Sequence, residues 1–311
     1  MNSERKRPRT ERKKATFGHS ILKDNISMIV MLSPFMIFFT AFLLVPIISS
    51  IILSFTSYDL ISSPKFIGIE NYHRMFVNDD MFGITVKNTL VFAVVSGPLG
   101  FLLSFLLAWL VNEFSPRVRT LLCFLFYAPS LAGNAYFIWQ TAFSGDSYGY
   151  VNSFLLSIGA INEPVIWLKN EAYIMPIIII VQLWQSMGIS FFGNISGLQN
   201  ISAEMYEAGA IDGIRNRWQE LRYITLPSMS HMLLFSAVMS IQGSFSVSTI
   251  ATELAGYPSK SNAVDTIVSL MSDVASVRYE YGYAAAISVI LFLMMVVTRF
   301  IVGKILSLVQ G

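Results

Sequence analysis

Residues 207–227 read EAGAIDGIRNRWQELRYITLP. Asp212, Arg215, Arg217, Glu220 and Arg222 crowd together between two long apolar runs. A single Arg or Asp at the centre of a membrane span costs roughly 2.5–3.5 kcal/mol, and these charges stand too close together to be hidden. The segment therefore belongs in water. Ser202 is placed to cap a helix, and Glu204 and Glu207 put acid in its first turns, where the helix dipole favours it. Gly213 offers the left-handed backbone that stops a helix. A second helix is expected from about Ile214 to Ile224, with Ile214, Trp218 and Leu221 on one face and Arg215, Gln219 and Arg222 elsewhere. Pro227 is expected to end it and to start the turn into the next apolar run. The product is an amphipathic helix–Gly–helix hairpin. Its residues alone leave three uses open: a solvated loop, a helix lying on lipid headgroups, or a docking element for a partner.

The surrounding chain says what solvent this is. Of 311 residues, 54% are hydrophobic and 13% are charged. A soluble domain carries about 25% charged residues, so the composition fits a bilayer. Cys123, the one cysteine, sits inside an apolar run and reads as a small buried hydrophobe; no disulfide framework or cysteine-based metal site can be built from it. The basic start, MNSERKRPRTERKK, is followed by an apolar stretch from Ile26 to Phe55. That stretch is too long for the core of a signal peptide, and no small-residue cleavage site follows it, so it reads as a retained first span with a basic topology anchor.

A membrane helix needs about 20 mostly apolar residues. Windows of this kind run Asn25–Tyr58, Asn88–Asn112, Thr120–Gly145, Ala172–Ala203, Tyr223–Thr252 and Tyr281–Thr298. Lys and Arg concentrate on the side that holds the N-terminus, residues 117–119 and the charged hairpin; the other side holds Lys65, Arg74, Lys87, Lys169, Lys260 and Arg278. The positive-inside rule then puts both termini and the hairpin in the cytoplasm. The expected fold is an all-α polytopic membrane protein of about six transmembrane helices. Residues 1–24 form a basic cytoplasmic tail, and residues 25–307 form one transmembrane domain with the hairpin at about 200–228. In the outer loops, Val264–Val277 and Tyr150–Ile158 read as short surface helices, and no internal repeat or second soluble domain is visible.

Chemistry is conspicuous by what cannot be assembled. No G-x-x-x-x-G-K-[ST] phosphate loop occurs, no HExxH occurs, and His19, His73 and His231 are scattered. No catalytic residue, metal site or resident cofactor is expected, and nothing calls for nucleic acid.

The stretch YEAGAIDGIRNRWQELRYITLP resembles the EAA loop of bacterial ABC importer permeases, which runs Glu-Ala-Ala, then Asp-Gly, then Ile-Thr-Leu-Pro. The matching residues are Glu207, Ala208 and Gly209, then Asp212 and Gly213, then Ile224, Thr225, Leu226 and Pro227. The departure is Gly209 in place of the second Ala, expected to loosen the helix by about 1 kcal/mol. FIGIENYHRMF (66–76) resembles the outer-loop motif of the carbohydrate, maltose-type branch. Asn88-Thr89-Leu90 and YGYAAAISVILF (281–292) resemble the opening of an early span and the last span of that branch.

The resemblance implies a permease subunit that forms the path for a sugar or oligosaccharide. It implies docking of the hairpin on a separate cytoplasmic ABC ATPase dimer, which uses ATP and Mg. Glu207, Ala208, Gly209, Asp212, Gly213, Trp218 and Pro227 are the coupling residues so implied, with Glu207 an acceptor for a basic group on the ATPase. It further implies a second homologous permease subunit, an extracytoplasmic solute-binding protein, and residence among lipid in the bacterial cytoplasmic membrane.

A sugar path needs hydrogen-bonding groups inside the spans. The fourth window offers Gln182, Gln185 and Ser186 near Trp184, and the fifth offers Gln242, Ser244 and Ser246; by similarity Gln182, Gln185, Ser186, Gln242 and Ser244 fall near where maltose-type permeases contact sugar. Asn134, Trp139 and Gln140 offer a further polar cluster, Trp139 reading as an interface anchor. Gln and Ser also glue helices together, so each has a competing structural role. Proton-coupled transport would call for ionisable groups within spans, and only His231 comes near one. A phosphate path would call for buried Arg or Lys; a neutral, hydroxyl-rich solute fits better, with another neutral solute as the alternative.

Overall fold

The computed structural model describes residues 17–133, 136–245 and 247–310, and it describes side-chain surroundings for residues 28–133, 136–245 and 247–305. Asn134, Ser246 and most of the basic tail lie outside the described residues. Two units can be separated, residues 1–52 and 53–311.

The described part of the first unit is one long helical run. It consists of α1 (Phe17–Phe39), a wider π-turn at Thr40–Leu44, and α2 (Val45–Leu53). Helix begins well before the window expected at Asn25. Pro46 explains the wide turn, because its ring cannot donate and would clash with the carbonyl four residues back. The Val45 N–H reaches the Thr40 carbonyl instead, five residues back. Met28–Leu53 is long and apolar enough to cross a membrane, with its large side chains exposed (Met31, 82%).

In the second unit, β1 (Thr56–Ser57) pairs antiparallel with β2 (Lys65–Phe66), and α3 (Glu70–His73) leads into α4 (Asp80–Asn112). Asp79 caps α4 by accepting the N–H groups of Met81 and Phe82. The span therefore starts eight residues before the expected Asn88, because Asp80 and Lys87 are accommodated in its first turns. Then come α5 (Pro116–Leu131), α6 (Tyr136–Ala142), α7 (Tyr150–Ser157) and α8 (Glu171–Gln199). The hairpin contributes α9 (Ala203–Ile211), α10 (Arg217–Glu220) and α11 (Leu226–Ser228). The rest is α12 (Ser230–Phe245), α13 (Ser248–Ala255), α14 (Ile267–Ser276) and α15 (Tyr281–Gln310).

Among the described residues, five runs are apolar and long enough to span, and a sixth is broken. The window expected as one helix over Thr120–Gly145 is α5 and α6, which meet at 85°. Ala132 leaves the helical region (φ −81°, ψ 91°), and Gly133 follows in a turn. The fifth span runs from Ser230, not Tyr223, because residues 221–228 belong to the hairpin. The fourth ends at Gln199 rather than Ala203.

α4, α8 and α12 pack on one another at the centre of this unit, with α5 and α15 around them. Serines and glycines line their contacts and let the backbones approach, as in other membrane helix pairs. At Gly97 a Cβ would stand 3.0 Å from Ile241 Cγ1 and 3.2 Å from Ser244 Oγ.

The end of the unit away from the hairpin is tied by side chains of the resemblance motifs. The Asn71 amide donates to the carbonyls of Ser54 (2.8 Å) and Thr56 (3.0 Å), and the Tyr72 hydroxyl donates to Ser54 Oγ at 2.7 Å. The Asn88 amide donates to the carbonyls of Asn262 (2.8 Å) and Asp265 (3.0 Å). Thr89 Oγ1 accepts the Ile267 N–H at 3.0 Å. The Tyr283 hydroxyl donates to Asp79 Oδ2 at 2.5 Å, while Arg74 pairs with Glu280 at 2.6 Å and lies 4.2 Å over the Tyr283 ring. α14 is no surface helix. Ile267, Leu270 and Val274 are wholly buried, and a Thr266–Ser269 capping box starts it. α7 does form close to the expected bounds.

Candidate functional site

Two regions carry the residues singled out by sequence. The first is the hairpin. α9 follows Ser202 at the N-cap position, although the Ser202 hydroxyl makes no cap bond. Gly213 takes φ +93° and reverses the chain, the conformation that costs a residue with a Cβ most. The Ile214 N–H returns to the Gly209 carbonyl at 2.9 Å and closes the turn. The second helix starts at Arg217, three residues later than expected, because the Asn216 side chain caps it by accepting the Gln219 N–H at 2.8 Å. Ile214 therefore lies before this helix, so Ile214, Trp218 and Leu221 do not share a helical face. Leu221 and Ile224 are buried, while Trp218 is 69% exposed.

Pro227 does not end the helix. Residues Leu221–Thr225 form a π-turn in which the Leu226 N–H bonds the Leu221 carbonyl, five residues back. This is the device seen before Pro46: the wider turn makes room for a ring that cannot take its place in the regular ladder. The break falls at Met229.

Gly209 is buried in the fold of the hairpin. A Cβ there would stand 2.6 Å from Ile224 Cδ1 and 3.2 Å from Ile214 Cδ1. The glycine gives close approach, a role that helix propensity alone does not reveal. Glu207, Ala208, Asp212, Gly213 and Pro227 are exposed. Glu207 has no hydrogen-bond or ion-pair partner among the described residues, so its carboxylate is presented to solvent.

Arg217 was not singled out by sequence. It bonds Glu220 at 2.6 Å and also pairs with Glu113, just past the end of α4. The Glu220 bond, with the charge of Glu113 beside it, pushes the guanidinium further above its already high range. The Trp218 ring lies 5.7 Å from that of Trp109 on α4.

The second region is a cavity of about 550 Å³, within the roughly 300–1,000 Å³ usual for small-molecule sites. Ser130, Gly133 and Tyr136, on either side of the α5–α6 break, line it, and α8, α12 and α13 supply the other walls. Gln182, Gln185, Ser186 and Gln242 all line it. The Gln182 amide also donates to the Gly243 carbonyl at 3.2 Å, which ties α8 to α12. The amides of Gln185 and Gln242 have no hydrogen-bond partner among the described residues, so they face the cavity with free donors and acceptors.

Ser244 is placed elsewhere. It is 1% exposed, donates to the Ser240 carbonyl at 2.9 Å and packs on Gly97. Trp139 packs edge-on to Trp184 (5.5 Å) and stacks on Phe143 (5.9 Å), so it belongs to a side-chain cluster and does not read as an interface anchor. The Gln140 amide holds the Glu253 carbonyl at 2.6 Å.

Sequence reading passed over Ser190, Ser240 and Gly188. Ser190 and Ser240 face the cavity with hydroxyls 2.9 Å apart. Gly188 admits the end of α5, since a Cβ there would meet Ser130 Oγ at 2.4 Å. The signal for Ser190 was present: Gln182, Ser186 and Ser190 recur at i+4 along one face of α8. Among the described residues, no acid, lysine, arginine or histidine lines the cavity.

A family model for the inner membrane component of binding-protein-dependent transport systems matches residues 97–307. The chain belongs to that family. Among its relatives, the probable ABC transporter permease protein YesP of Bacillus subtilis is 32% identical over 75% of each chain. The lactose transport system permease protein LacF of Rhizobium radiobacter is 29% identical over 92% of this chain and 97% of its own. The arabinooligosaccharides transport system permease protein AraP of Bacillus subtilis is 29% identical over 90% and 88%. The fold is that of a permease chain in a bacterial ABC transporter that imports the acidic polysaccharide alginate (TM-score 0.77, 23% identity, 94% and 99% covered). The same fold appears where that transporter is in complex with an alginate pentasaccharide-bound periplasmic protein. This permease is thus an inner membrane component of a binding-protein-dependent transport system.

Proposed function

We propose that this permease forms part of the path for a neutral sugar or oligosaccharide in an ATP-driven importer. The observation that carries the reading is the cavity itself. Its polar groups are amides and hydroxyls, those of Gln185 and Gln242 are free, and among the described residues no acid, lysine, arginine or histidine lines it. Such a wall can exchange hydrogen bonds with hydroxyls, but it offers no counter-charge to a carboxylate or sulfonate, whose burial unpaired is costly. The alginate importer that shares the fold handles an acidic polymer; here the solute is neutral. Relatives that carry lactose and arabinooligosaccharides support a carbohydrate.

The exposed Glu207 and the Gly213 turn suit docking on a separate ATPase dimer, which would use ATP and Mg. Both termini and the hairpin then face the cytoplasm, a second homologous permease completes the path, and a solute-binding protein delivers from outside.

The test is uptake by vesicles holding the whole importer, with labelled neutral oligosaccharides and labelled uronate oligomers offered separately. Neutral sugars should be accumulated, and Gln182→Leu combined with Gln242→Leu should lower that uptake about tenfold or more, the scale for leaving polar groups unpaired. Preference for the uronate, or unchanged uptake in the double variant, would contradict the assignment.

A further inference from the structure

α4 lines no part of the cavity, yet it touches both regions. At the hairpin end, Glu113 pairs with Arg217, and Trp109, one turn earlier, packs on Trp218. Further along α4, a Cβ at Gly100 would stand 3.4 Å from the hydroxyl of Ser186, a cavity residue. Gly97 makes a tighter approach to Ile241 and Ser244, the neighbours of Gln242 and Gly243 in the cavity wall. α4 packs directly on both α8 and α12, with little room for a side chain at Gly97, so displacement of α4 is passed to them. Pro98 stands between the two glycines inside the helix. It donates no ladder bond, and α4 is easiest to bend there. From Glu113 to this point is roughly 20–24 Å of helix at the usual rise.

We infer that Arg217 and Trp218 are positioning residues that pass displacement of the hairpin to α4, and that α4 pivots at Pro98 to reshape the cavity through Gly97 and Gly100. This rests on the reading of the hairpin as the ATPase dock. Of the two carboxylates on Arg217, Glu220 belongs to the hairpin and orients the guanidinium within it, whereas Glu113 carries the contact out to α4.

The experiment uses the complete transporter with Cys123 replaced by Ser and spin labels at Leu102 on α4 and Ile180 on α8, both exposed positions. The label-to-label distance is measured without nucleotide and with ATP plus vanadate. ATP should shift the distance in the parent protein. Glu113→Arg and Arg217→Glu should each shrink that shift about fivefold or more, the lower range for coupled sites, with the ATPase still bound. Combining the two reversals should recover most of the shift, and Glu220→Gln should leave it within about twofold of the parent. Should the reversals fail to reach the membrane, Glu113→Gln and Trp218→Leu give the same reading in the same direction. A full shift in both single variants, no shift in the parent, or a double variant no better than either single overturns the α4 route. An ATPase absent from the parent complex fails the docking reading itself, which separates the two failures.

Discussion

Gly209 shows how far a single residue can be read from sequence. As a deviation from Glu-Ala-Ala it promises only a weaker helix, about 1 kcal/mol. In the folded hairpin Ile224 Cδ1 sits 2.6 Å from where the missing Cβ would stand. Gly209→Ala should therefore gain about 1 kcal/mol of helix propensity and lose about 1–3 kcal/mol to overfilling, a net loss of about 0–2 kcal/mol that lowers the melting temperature or leaves it unchanged. Ile224→Val removes the obstructing methyl, so the double variant should be more stable than the two single effects sum to, by about 1 kcal/mol. Additive melting shifts would contradict the contact. Gly282 is less forgiving. A Cβ there would lie 2.0 Å from the Thr56 carbonyl oxygen, which is backbone and cannot rotate away. Gly282→Ala should cost more than about 3 kcal/mol, seen as loss of folded protein in detergent; a normal melting curve would refute this approach.

At the scale of elements, hydropathy located the spans but not their internal breaks. Periodicity and apolar length do not register the 85° corner between α5 and α6, because no charged residue interrupts the window from Thr120 to Gly145. The misplaced start of the fifth span has the same origin: Tyr223–Leu226 is apolar enough to be counted as lipid-facing, yet its first three residues wind in the π-turn Leu221–Thr225 that precedes Pro227. The stretch 264–277 looked like a surface helix because polar residues punctuate it; instead Thr266 and Ser269 make a capping box, Asp265 accepts the Ser259 N–H, and Asp273 pairs with Arg278. The motifs that carried the family resemblance turn out to be fasteners. Asn88 is the plainest, serving two loop carbonyls with one amide. Asn88→Leu should leave both without that donor, at about 1–3 kcal/mol each if they stay buried, and should raise amide hydrogen exchange over residues 259–267. Unchanged exchange there would show that the loop does not depend on it.

At the scale of the molecule, the membrane architecture was legible because a charged hairpin between apolar runs has few physical resolutions, whereas the family was legible only through the resemblance of the hairpin and the outer-loop and last-span motifs. The cavity was partly legible. Gln182, Gln185, Ser186 and Gln242 face it, while Ser244 turns into the α4 seam, since side chains two residues apart on a helix point in different directions. What sequence could not show is which polar groups are already satisfied, and that distinction separates Gln185 from Ser244. The central claim is that the exposed Glu207 surface docks an ATPase. Its most direct test is gentle purification of the chain from its native membrane, followed by quantitative mass spectrometry of what co-elutes, for the natural chain and for Glu207→Lys. The account predicts a P-loop ATPase and a second apolar permease in fixed ratio with the natural chain, and loss of the ATPase alone from the variant. A chain that elutes by itself, or a Glu207→Lys complex that keeps its ATPase in full, would contradict it.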